Sequence, residues 1–114
     1  MEDYKELLSG LTLELRRGTT VLCVLACATK PIYGYSLVQE LEEIGVPIEA
    51  NTLYPLLRRL EKQELLKSEW ETGGAKPRKY YLRTPVGDDV YQALRGQWMA
   101  LANNLEQLLD GSEN

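Results

Sequence analysis

The chain of 114 residues contains no histidine and only two cysteines. Without histidine, the Ser-His and Cys-His pairs that activate most nucleophiles cannot form, and the commonest general base at neutral pH is missing. Cys23 and Cys27 stand four residues apart with no further cysteine or histidine to complete a tetrahedral zinc site, and one pair makes no disulfide framework. Both lie in the apolar run VLCVLACA, where a helix turns them into packing as reduced thiols. Nucleotide loops and paired carboxylates are also missing, and Ser9, Ser36 and Ser68 have no base at hand. An enzyme, a metal and a cofactor are therefore not expected. Long apolar segments are absent too: the run after Arg16-Arg17 is short and acidic residues precede it, so no cleavable or membrane-spanning segment is predicted and a cytoplasmic protein is expected.

What is present begins with an uneven charge. The net charge is −4, which argues against nucleic acid until its distribution is examined. Residues 1–50 carry four Lys/Arg against eight Asp/Glu, residues 51–83 carry eight against four, and residues 84–114 carry one against five. A basic island on an acidic body is the footprint that phosphate neutralisation requires.

The island coincides with a distinctive order of elements. A leading helix is marked by Tyr4, Leu7, Leu8 and Leu11, with a break at Gly18. Thr19 to Ala28 is almost wholly apolar and reads as a helix buried on most sides, ended by Lys30-Pro31. Tyr33 to Glu43 places Tyr33, Leu37, Leu41 and Ile44 inward and acidic residues outward, and Gly45 and Pro47 stop it. Asn51 reads as the cap of the next helix, with Pro55 in its opening turn. Leu53, Leu56, Leu57 and Leu60 form its apolar stripe, Asn51, Pro55, Arg58 and Lys62 lie opposite, and Thr52, Tyr54 and Arg59 flank them. Such a face suits phosphates and base edges of a major groove, and equally a solvated helix surface.

Leu65 to Glu71 then alternates as a half-buried strand, and Lys79 to Arg83 is a second strand rich in β formers. The turn-rich loop between them, followed by Lys79, gives a hairpin whose Lys76, Arg78 and Lys79 are placed to grip a phosphate backbone. The fold class expected is mainly α with a small β hairpin, a winged helix-turn-helix plus a long C-terminal helix.

Three blocks, GYSLVQELEE, NTLYPLLRRLEKQELLKSEWE and KPRKYYLRTPVG, resemble in order and spacing the PadR-like transcriptional regulators. The resemblance covers about Arg17 to Val90. It implies a bacterial, homodimeric winged-helix repressor of double-stranded DNA, with Asn51, Thr52, Tyr54, Arg58 and Arg59 in the recognition helix and Lys76, Arg78 and Lys79 in the wing. The loop GGAKPRK is shorter and less basic than many family wings.

Thr84-Pro85 supplies a cap and a proline for the first turn of the last helix. Along it Tyr91, Leu94, Trp98, Leu101, Leu105 and Leu108 recur at alternating spacings of three and four, an a/d seam too short to stand alone but able to dock on a second copy. Residues 1–84 are thus read as the DNA-binding domain and 85–114 as a dimerisation helix, the arrangement of the short branch of the family. Two-fold pairing sets the recognition helices about 34 Å apart and predicts a palindromic operator. Trp98, near Gly96, Ala100 and Ala102, is the candidate contact for a small aromatic or hydrophobic effector, as in some short-branch relatives, or else a plug of the interface. The alternative function is a winged-helix protein-interaction module without specific DNA binding.

Overall fold

The computed structural model describes residues 2–111 and runs α1 (Glu2–Arg17), α2 (Thr20–Cys27), β1 (Ile32–Tyr33), α3 (Gly34–Glu43), α4 (Ala50–Lys62), β2 (Leu66–Glu71), β3 (Arg78–Arg83) and α5 (Pro85–Asp110). The helix pair followed by a hairpin is the winged helix-turn-helix that the sequence order predicts.

The core lies where α2, α3, α4 and the sheet meet. Val24 and Leu25 of α2, Leu37 and Leu41 of α3, and Leu53, Leu57 and Leu60 of α4 are buried together with Leu66 and Tyr81. Each such leucine contributes about 1.5–3 kcal/mol through removal from water, and the spacings of three and four within α4 are what bring its three onto one side.

Both helices of the pair end in the same hydrogen-bonded motif. Behind α3, Gly45 takes a φ of 91°, and the Val46 amide reaches the Leu41 carbonyl at 2.9 Å. Behind α4, the Leu65 amide reaches the Leu60 carbonyl at 2.9 Å, but the left-handed residue is Glu64, at φ 66°. A non-glycine there costs about 1–2 kcal/mol.

Two local expectations are corrected. Glu49, not Asn51, is the N-cap of α4, and its side chain makes no capping bond. Pro55 therefore falls beyond the opening turn, so the helix forgoes one backbone bond to the Asn51 carbonyl. Secondly, the hairpin is part of a three-stranded antiparallel sheet of order β1-β3-β2, because Ile32 and Tyr33 pair with Tyr81 and Tyr80. The leading helix ends at Arg17, at the break expected at Gly18.

The root of α5 is fastened to the end of α4. Thr84 accepts from the Gly87 amide at 2.9 Å and donates its hydroxyl to the Glu64 carbonyl at 2.6 Å, while its own amide reaches the Leu65 carbonyl at 3.1 Å. Approach is so close that a Cβ on Gly87 would lie 2.1 Å from the Leu65 carbonyl oxygen. Beyond this joint α5 continues as an arm: the radius of gyration is 17.0 Å, against roughly 13 Å for a compact domain of this length.

Candidate nucleic-acid interface

The outward face of α4 carries Asn51, Thr52, Arg58, Arg59 and Lys62, all exposed. None of the three basic side chains is in an ion pair among the described residues. The hairpin tip places Lys76 in the open in the same way. Four cations thus stand without internal partners on the two elements expected to approach DNA.

Tyr54 is placed differently. It is half-buried and packs with the core, and a Cβ on Gly34 would meet its ring at 2.6 Å. Tyr54 therefore sets the close approach of α3 to α4, and the absence of a side chain at Gly34 is what admits it.

The other expected wing residues have internal partners. The strand register sets Glu71 opposite Arg78 and Trp70 opposite Lys79. Arg78 pairs with Glu71 at 3.3 Å, lies 4.5 Å above the Tyr33 ring and is 3.4 Å from the Tyr35 hydroxyl. The Tyr33 hydroxyl donates to Glu71 as well, and that bond holds its pKa above the ordinary phenol value. Tyr33 and Tyr35 stack at 5.8 Å, so an aromatic and carboxylate nest surrounds the guanidinium. Lys79 is 3.7 Å from Glu61 and within 6 Å of the Trp70 and Tyr81 rings. Glu61 also accepts from Ser68 at 2.5 Å, which ties the last turn of α4 to the sheet. As exposed or half-exposed pairs, screened by solvent and salt, these are weak enough to exchange for phosphate.

Arg83 belongs to the frame. It bonds Asp88 at 2.8 Å and the Leu25 carbonyl at 3.0 Å, and stacks on Tyr91 at 4.2 Å. The basic island read from the sequence thus divides into cations without ion-pair partners among the described residues on α4, at the wing tip and at Lys67 of β2, exchangeable ones on β3, and one structural arginine.

The α5 seam divides too. Tyr91 and Leu94 are half-buried and pack, with Val90, against the chain's own core. Trp98, Leu101, Leu105 and Leu108 are exposed, Trp98 to 46 %. Along α1, Tyr4, Leu7, Leu8, Leu11 and Leu15 are exposed as well. Both cysteines are free thiols, and burial, with Glu40 nearby, pushes Cys27 up to about 11. No helix among the described residues is long and apolar enough to cross a membrane.

Comparison with known proteins places this geometry in a family. The family described as Transcriptional regulator PadR-like matches residues 21–93. The chain belongs to the PadR-like family. Its members are transcriptional regulators, not enzymes. This PadR-like chain is 50% identical to a PadR family transcriptional regulator from Eggerthella lenta, whose crystal structure it matches with a TM-score of 0.91 over 98% of this chain and 100% of that one. It is 37% identical to Transcriptional regulator Rv3488 of Mycobacterium tuberculosis, over 65% of this chain and 70% of that protein. Bacillus subtilis PadR, solved in complex with operator DNA, matches with a TM-score of 0.62 at 18% identity, over 67% of this chain and 45% of that one, a likeness of fold.

Proposed function

We propose that this PadR-like regulator is a homodimeric repressor that lays α4 in the major groove of a palindromic operator in a bacterial cytoplasm. The observation that carries the reading is the outward face of α4, where Arg58, Arg59 and Lys62 stand exposed and without ion-pair partners among the described residues. Asn51 and Thr52 on the same helix supply neutral donors and acceptors for base edges. Lys76 grips phosphate directly, and Arg78 and Lys79 join it by exchanging Glu71 and Glu61 for the backbone.

Dimerisation supplies cover for the apolar faces. The exposed apolar stripe of α1 and the far half of α5 from Trp98 onward lack cover from the described residues, and the two are alike in length and chemistry. In this reading residues 1–84 approach DNA and the α5 segment of 85–114 pairs the copies. Trp98 then lies within the interface, beside small side chains, and receives a planar hydrophobic effector that releases DNA.

The test is selection of bound sequence from a genomic pool, followed by salt titration. A dimer that uses Arg58, Arg59, Lys62, Lys76, Arg78 and Lys79 from each copy has a log K against log salt slope of about −11, from about 0.9 per phosphate. Recovery of a palindrome and a slope of that order support the repressor. A shallow slope with no enriched sequence supports the protein-interaction module instead. For the effector, unchanged Trp98 fluorescence and unchanged DNA affinity across planar aromatic compounds refute release at this site.

A further inference from the structure

Between the end of α1, the start of α2 and the turn joining α3 to α4 lies a cavity of about 340 Å³. That volume falls within the range of roughly 300–1,000 Å³ typical of small-molecule sites. Leu13, Arg16 and Arg17 of α1 line it, and at about 100° per residue they lie across the helix from the Leu7, Leu11 and Leu15 stripe. The face proposed for dimerisation is therefore a different one.

The lining has two characters. Cys23, Val46 and Ile48 make an apolar floor, while Arg16 and Arg17 stand at the rim with no ion-pair partner among the described residues. Against their two charges the lining holds a single carboxylate, Glu49. The first residues of α2 and α4 also border the cavity, and neither Thr19 nor Glu49 places a capping side chain on its helix. Those helix ends add to the positive potential.

We propose that this cavity binds a small amphipathic oxyanion, with a carboxylate or phosphate-ester head on Arg16 and Arg17 and a short apolar body on the Cys23, Val46 and Ile48 floor. Planar guanidinium groups suit either head, through paired hydrogen bonds. Glu49 opposes the head and limits affinity. Thr52 of α4 forms one wall, so an occupant brings negative charge to the head of the helix that faces DNA. That consequence rests on the DNA-binding reading; the site itself does not.

The experiment is titration calorimetry of the full chain with octanoate, octyl phosphate and octanol. One or both anions should bind, with octanol weaker by about tenfold or more. The double variant Arg16→Ala/Arg17→Ala, checked for unchanged helicity, should lose that binding, whereas Glu49→Gln should tighten it several-fold and Trp98→Ala should leave it unchanged. Equal binding of octanol, full binding by the double arginine variant, or loss in Trp98→Ala overturns the proposal. So does failure of both anions to bind the unaltered chain, and if the arginine variant then shows a shallower salt slope on DNA, the two side chains are phosphate contacts instead. Should the DNA-binding reading itself fail, no salt-dependent DNA complex forms without any ligand present, and the calorimetry is unaffected.

Discussion

Replacing Gly34 by alanine tests how the helix pair is spaced. An added Cβ would lie 2.6 Å from Tyr54 Cε1, 3.0 Å from Oη and 3.2 Å from Cζ, where carbon atoms prefer about 3.5–4.0 Å. About 1 Å of displacement is needed, and overpacking of that kind costs typically 1–3 kcal/mol. Working against it, alanine restricts the unfolded chain more than glycine does, a gain of about 0.4–1 kcal/mol. Gly34→Ala should therefore destabilise by a net ~0.5–2 kcal/mol. In a Tyr54→Ala background the clash disappears and only that gain remains, so the same substitution should stabilise. The sign reverses, with a coupling of about 1–3 kcal/mol. Tyr54→Phe, which keeps the ring carbons, should not reverse it. Urea unfolding followed by circular dichroism on the four members of the cycle gives the number. Additivity within about 0.5 kcal/mol would refute the contact and return Tyr54 to the groove-facing set.

Four further outcomes are expected. Gly87→Ala meets backbone rather than a movable side chain, so it should cost about 3 kcal/mol in urea midpoint analysis, at the upper end of overpacking; a loss under 1 kcal/mol would contradict the close approach. Glu64→Gly relieves the left-handed strain and should raise stability by a net ~0.5 kcal/mol after the extra freedom glycine gives the unfolded chain. Cys27, held up to about 11, should alkylate about a hundredfold more slowly at pH 8 than a thiol titrating at the ordinary 9.0, measured by mass spectrometry. Because the folded chain keeps that proton more tightly, the associated stability is present below the unfolded value of 9.0 and is lost as pH rises toward 11. Glu71→Gln removes the carboxylate that competes for Arg78 and should tighten DNA binding several-fold at a given salt with the slope unchanged, while unaltered affinity would show that Arg78 never reaches phosphate.

Much of this arrangement is legible in the order of residues. The periods of Leu37 and Leu41, and of Leu53, Leu57 and Leu60, announce two buried helix faces, and the helix, loop and hairpin sequence announces the wing. The start of α4 is not legible, because Glu49 is a weak capping type and Pro55 imitates a first-turn proline. Two residues, Ile32 and Tyr33, are too few to alternate, so β1 emerges only from its pairing with β3. Charge counting overstates the island at Arg83, whose partner Leu25 is brought to it by tertiary contact and Asp88 by the turn into α5. The Glu71 and Arg78 pair lay closer to reach, since a hairpin whose strands flank residues 72–77 sets those two opposite one another.

The bond between Thr84 and the Glu64 and Leu65 carbonyls gives the molecule a built-in ruler. In a dimer held by α5, the distance between two DNA-facing helices is set at each side by a rigid weld and not by a tether, so it has no slack. Half-sites moved by a single base pair, which rotates one by about 34° and shifts it by about 3.4 Å relative to the other, would go unrecognised by one arm, and operators for this protein should tolerate changes of letter better than changes of spacing.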